Sequence, residues 1–152
     1  MASLLKQKIN AELLLAMKAG DTLKRDVLRM LDAMIKNTEI EKLKKEAGLS
    51  DSEVQEVIGR AVKQRKDAAA QYTVGNRPEL AEKENKEIAI LLEYLPKQMS
   101  EEEVQKVVEE IMAKIGATSK ADIGKVMGPV MGKLKGLADG NLVKKIVEEK
   151  LQ

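Results

Sequence analysis

Apolar residues return every three to four positions through almost the whole chain, and no segment alternates apolar and polar residues as a strand would. That period lays an apolar stripe along a helix of about 3.6 residues per turn, and the stripe must be buried against another helix. Packed helices are the only architecture that satisfies it, so the expected class is all-α. The 152 residues include two Tyr, no Phe and no Trp. The helices must therefore pack through Leu, Ile, Val, Met and Ala, and most of the eight Met read as core filler.

Punctuation places the helices. Gly20, Gly48, Gly75 and Gly116 each close a periodic run and read as left-handed C-terminal caps. Ser50 with Glu53, and Ser100 with Glu103, read as capping boxes, in which hydroxyl and carboxylate satisfy each other's orphan amides. Ser119 with Asp122 is a weaker version. These signals predict helices near 2–19, 22–47, 51–74, 78–94, 101–115, 120–135 and 140–151. The third buries Val54, Val57, Ile58, Ala61 and Val62; the fourth Ala81, Ile88, Leu92 and Leu95; the fifth Val104, Val107, Val108, Ile111 and Met112. Tyr72 and Tyr94 are expected half-buried, with their hydroxyls in water. In "LPKQMS", residues 95–100, Pro96 lacks an amide donor and disfavours helix in the residue before it. The expected division is a four-helix domain of residues 1–95 and a three-helix tail domain of residues 97–152.

There is no Cys and no His, which excludes disulfides, thiol chemistry and Cys/His metal sites. The commonest general acid–base side chain is also missing, and no carboxylate pair or triad has a spacing that demands catalysis. The expectation is no catalytic residue, no metal and no cofactor. No apolar run approaches the roughly 18 residues that span a bilayer. The opening "MASLLKQKINAELLLAM" has the amphipathic, lysine-bearing character of a transit peptide, but it carries Glu12 and no Arg and fits a first helix. No targeting segment, no membrane partner and a cytoplasmic location are therefore expected. "KQRKD", residues 63–67, with Arg60, reads as a solvated basic cluster paired with Glu56 and Asp67 about a turn away.

Net charge is only +2, but the last third of the chain sorts it. Residues 101–110 hold five acids and one Lys, whereas residues 120–145 hold six Lys and two Asp. Within the basic block, "DIGKVMGPVMGKLKG" places Gly124, Gly128, Gly132 and Gly136 four residues apart. On a wheel of about 100° per residue, Ile123, Val126, Met127, Val130, Met131 and Leu134 share an apolar arc. The glycines start at its edge and drift outward, bordered by Lys125 and Lys135, with Lys133 further round. Each glycine costs a helix about 1 kcal/mol relative to Ala. Two uses could justify it: close approach of a partner helix, or a phosphate backbone lying across the bare lane with lysines reaching its oxygens. Pro129, in mid-helix, predicts a kink near Gly128. Asp139 or Asn141 is expected to cap the last helix, which buries Leu142, Ile146 and Val147, while Lys144 and Lys145 extend the basic surface.

"KQRKDAAAQY" and "GNRPELAEKENKEIAILLEYLPKQMSEEE", within residues 63–103, followed by "DIGKVMGPVMGKLKGLADGNLV", closely resemble the YqeY family over essentially the whole chain. That family is similar in turn to the helical and tail region of GatB, one component of the tRNA-dependent amidotransferase, whose catalytic parts lie elsewhere and whose tail contacts the tRNA elbow. Carried over by residue, the resemblance implies Lys125, Gly128, Gly132, Lys133, Lys135 and Gly136 as tRNA contacts, with Asn141 and Leu142 matching a stretch of those tails. Lys144 and Lys145 join as basic neighbours. The expected function is a non-catalytic tRNA-binding or tRNA-associated protein. The alternatives are a helical protein-interaction module with a protein partner, or an accessory to a glutamine-dependent carbon–nitrogen ligase.

Overall fold

The structure, a computed structural model, describes residues 3–151. Seven α-helices and a single 3-10 turn account for the regular structure, with no strand among the described residues. They are α1 (Leu4–Ala19), α2 (Thr22–Glu41), α3 (Asp51–Val74), α4 (Pro78–Leu92), α5 (Glu101–Ile115), the turn Lys120–Asp122, α6 (Ile123–Leu134) and α7 (Gly140–Lys150). The chain is all-α. It divides into two compact units, one ending at Leu95 and the other beginning at Pro96.

Caps explain most boundaries. The Ser3 hydroxyl accepts from the Lys6 N–H at 3.1 Å and starts α1; the expected start at Ala2 lies outside the described residues. Ser50 and Glu53 form the full reciprocal box at α3. At α5 the Ser100 hydroxyl accepts from Glu103 N–H at 3.2 Å, but among the described residues Glu103 does not reciprocate. Gly20 (φ +72) and Gly116 (φ +69) are left-handed caps. Gly75 is not: its φ is −79, and Asn76 (φ +58) takes the left-handed position instead.

α2 stops six residues short of the expected end. Leu43 (φ +55) occupies the left-handed position, with Leu43 N–H bonded to Ile40 C=O and Lys44 N–H to Glu39 C=O. This is a Schellman ending with leucine where glycine is usual. Gly48, also left-handed, closes a separate turn through its N–H to Lys44 C=O at 2.7 Å.

The first unit packs Ile9, Leu28, Leu31, Ile35, Leu49, Ile58 and Leu91, all fully buried, and the expected α3 core positions are buried with them. At the end of α4, Glu93, Tyr94 and Leu95 bond back to Ile90, Leu91 and Leu92, three residues apart. That tighter winding aligns Leu91 with Tyr94, so these two are buried while Leu92 and Leu95 are only half-buried. Tyr94 corrects the expectation: it is 4% exposed and its hydroxyl is sealed from water beside the Glu12 carboxylate. Burial, with the Glu12 and Glu93 carboxylates nearby, pushes its phenol up.

Arg65 is also buried, against expectation for the basic cluster. Its Nε lies 3.2 Å from Glu87 Oε2 on α4, and its guanidinium also donates to Ala61 C=O at 3.1 Å. Lys6 and the buried Glu39 form a second such pair at 2.6 Å. The second unit closes around Val104, Val108, Val126, Val130, Leu134, Val143, Ile146, Val147 and Leu151.

Candidate nucleic-acid interface

The surface of interest is built on α6. Asp122, at its start, accepts from the backbone N–H of Thr118 at 3.1 Å and of Ser119 at 3.3 Å, and these bonds hold its carboxyl below the usual range. One side of α6 sends Val126, Val130 and Leu134 into the core, with Ile123, Met127 and Met131 half-buried beside them. The other side consists of Gly124, Lys125, Gly128, Pro129, Gly132 and Lys133, all exposed.

A Cβ built on Gly124, Gly128 or Gly132 would meet nothing within 4 Å. The lane is therefore open along its helical length, and among the described residues no other helix packs into it. Three glycines thus weaken the helix by about 1 kcal/mol each without serving the chain's own packing. Gly128 has one local justification: in a helix, a proline ring crowds the Cβ of the residue before it, and Gly128 has none. The helix runs through Pro129 to Leu134 without a break. Pro129 lies on the lane, midway between Lys125 and Lys133, and sequence reasoning treated it only as a disturbance. Its spacing of four residues from each lysine was the available signal.

Gly136 has a different role. Lys135 (φ −56, ψ 125) and Gly136 (φ +80), with Leu137 N–H bonded to Leu134 C=O at 2.9 Å, form a type II turn. That turn requires positive φ at its third residue, hence glycine. Gly136 lies past the end of α6 and is not part of the lane. Its carbonyl accepts from Gln98 Nε2 at 3.0 Å, and Leu137 C=O accepts from Met99 N–H at 2.8 Å, so the segment leading into α5 fastens the turn.

Two of the lysines bordering the lane are loosely held. Lys125 is 80% exposed with Nζ 3.9 Å from Asp122 Oδ1, and Lys133 is 58% exposed with Nζ 3.9 Å from Glu110 Oε2. Exposed pairs of this kind are worth about 0–1 kcal/mol, so a phosphate can displace either carboxylate. Lys135 is exposed at the C-cap. The acidic block of α5 meets the basic block through Glu110 to Lys133, and Glu109 pairs with Lys150 at the end of α7, beyond that block.

On α7, Asp139 is the cap: its carboxylate accepts from Asn141 N–H at 2.9 Å. It thereby fills the anion-attracting N-terminus itself. Asn141, Lys144 and Lys145 are exposed at spacings of three and four and share one stripe. Exposed Glu148 and Glu149 follow one turn on and end the basic run. Leu142 is half-buried against the core. No group of three or more Asp or Glu among the described residues could hold a metal ion, and no helix among them is long and apolar enough to cross a membrane.

The family model described as Yqey-like protein matches residues 6–151, which bears out the resemblance. Among curated relatives, "Altered inheritance of mitochondria protein 41, mitochondrial" of Kluyveromyces lactis is 36% identical over 97 residues, covering 62% of this chain and 51% of that protein. Proteins of the same name from Vanderwaltozyma polyspora (29% identical; 71% and 60% covered) and Clavispora lusitaniae (30%; 72% and 63%) also match. The chain thus spans roughly half to three fifths of the length of these relatives. Their names are mitochondrial, which overturns the expectation of a cytoplasmic location. Neither the family description nor these names states an enzymatic activity.

Proposed function

The chain belongs to the Yqey-like protein family, and from that premise we propose that it is a non-catalytic protein that binds structured RNA, tRNA being the favoured ligand, through the outer face of α6. The observation that carries this reading is the open lane: Gly124, Gly128 and Gly132 expose helix backbone to solvent, with nothing within 4 Å of where a side chain would begin. A sugar–phosphate strand can approach that backbone closely, while Lys125 and Lys133 swing from their weak pairs onto its oxygens. Lys135, then Asn141, Lys144 and Lys145 on α7, extend the contact. The resemblance to the GatB tail, and to its contact with the tRNA elbow, supports the same ligand.

The chemistry favours folded RNA over splayed single strands. The two tyrosines, Tyr72 and Tyr94, both precede the second unit, so that unit offers no aromatic platform for unstacked bases. Recognition would rest on shape, phosphate and 2′-hydroxyl. Three phosphates neutralised by Lys125, Lys133 and Lys135 contribute a log–log salt slope of about −2 to −3, and Lys144 and Lys145 add to it where they also reach a phosphate. The test is tRNA affinity across a salt series for the wild type and for Lys125→Glu/Lys133→Glu/Lys135→Glu. The proposal expects a slope at least that steep for the wild type, and for the variant at least about a tenfold loss at low salt with a flatter dependence. Equal affinity and slope for the two proteins would remove it. Salt-insensitive binding of a protein helix at the lane would instead favour the interaction-module alternative.

A further inference from the structure

α1 has two apolar faces. Ile9 and Ala16 are buried, and Leu5 and Leu13 pack on the core of the first unit. On the far side, Leu4 is 73% exposed, Leu14 58% and Leu15 63%, while Met17, 45% exposed, lies at the flank beside Leu13. On a wheel of about 100° per residue, Leu4, Ala11 and Leu15 fall within about 40° of one another, with Lys8 and Lys18 about 40° to either side of Leu4 and Leu14 about 80° round. Spacings of seven, ten and eleven residues from Leu4 put these side chains on one side of the helix, in two apolar patches separated by Gln7 and Lys8.

Charge on this face is of one sign. The only acid in α1, Glu12, is turned away from it, with Oε1 3.5 Å from Lys24 Nζ and Oε2 buried. Lys6 is engaged by Glu39. Lys8, whose Nζ lies 5.6 Å from the centre of the Tyr94 ring, and Lys18 are left as the cations of this face, both exposed, with Lys18 between Leu4 and Leu14. A second copy of α1 laid on this face would set lysines against lysines with no exposed acid of α1 between them. A lipid surface would have to accept the Gln7 and Asn10 amides, exposed on the same side, without hydrogen-bond partners, which is unfavourable. A protein helix with an apolar stripe flanked by Asp or Glu satisfies all three features: leucines, lysines and amides.

We propose that the outward face of α1 is a docking surface for an acidic amphipathic helix of a protein partner. This site is on a different helix from the RNA surface and stands independently of it. The experiment places a photo-crosslinking amino acid at Leu15 in the full chain in living cells, maps the attached segment, and measures binding of that segment, as a synthetic peptide, to the purified chain. The expected adduct is a segment with apolar residues at helical spacing and flanking carboxylates. Its peptide should bind roughly tenfold or more weakly to Leu15→Glu, since one exposed leucine is worth that much when buried, and more weakly to Lys8→Glu/Lys18→Glu. It should bind Lys125→Glu/Lys133→Glu as it binds the wild type. Adducts to lipid, to another copy of this chain or to a basic segment, or no adduct, would overturn the proposal, as would a peptide indifferent to both α1 variants. The α1 substitutions are all at exposed positions, and unchanged melting of each variant separates lost docking from lost folding.

Discussion

Replacing Gly124 and Gly132 together by Ala tests whether the lane serves the fold or a ligand. Neither new methyl meets an atom within 4 Å, so no steric cost offsets the gain in helix propensity. Each change contributes about 0.8–1.0 kcal/mol. The sites lie eight residues, about 12 Å, apart along the helix, so the effects add to about 2 kcal/mol. For a unit of the size of Pro96–Gln152, which holds α6, that raises its melting temperature by about 8–16 °C. Gly128 is left alone, because a Cβ there would crowd Pro129. Tyr72 and Tyr94 both precede Leu95 and report only on the first unit, so unfolding is followed by far-UV circular dichroism and by exchange of the α6 amides. On the proposed reading the same variant binds tRNA more weakly, because two methyls hold the phosphate off the backbone. A loss of stability would refute the reasoning: it would mean that the lane is packed and that its glycines serve the fold.

Other outcomes follow from the first unit. Glu87→Ala leaves the Arg65 guanidinium buried without its carboxylate, and denaturant titration should show a loss of about 3–5 kcal/mol. Leu43→Gly relieves a left-handed leucine that is 93% exposed, and should stabilise by up to about 1 kcal/mol in the same assay. Hydrogen bonds from Lys44, then from Ser50 N–H and Lys42, hold the Glu53 carboxyl at about 2 against its usual 4.5. A depressed folded-state value means this contribution is complete above about pH 4.5 and is lost as pH falls toward 2. Melting temperature should therefore decline with acid over that window, and less steeply in Glu53→Gln.

Helix positions were legible because caps are local: Ser50, Gly20 and Gly116 act on neighbours within a few residues as the pattern implies, and Ser100 caps α5 through its hydroxyl, without the reciprocal bond from Glu103. What misled was also local. Residues 42–47 keep helix-forming composition, but the chain turns at Leu43, a residue that carries no turn signal. Gly75 looked like a cap, yet Asn76 holds the left-handed angle. The Arg65–Glu87 pair was invisible because its partners are 22 residues apart and meet only when α3 packs on α4; spacing along one helix pointed to Glu56 and Asp67. The burial of Tyr94 followed from a change in winding at the end of α4, which a fixed 100° wheel does not contain. On the candidate surface, the direction in which Gly128 and Gly132 face was readable from the apolar arc opposite them. The separate role of Gly136 was not, because four-residue spacing continues past the point where the helix has become a turn.

The central claim is that RNA settles on the bare side of α6. Amide chemical-shift mapping of the isotopically labelled chain during titration with tRNA tests it directly, since glycine amides resolve well from the rest. The account predicts that Gly124, Gly128, Gly132, Lys125 and Lys133 shift together and saturably, with the effect fading as salt is raised. Saturable binding that leaves these five amides in place while others move would contradict it.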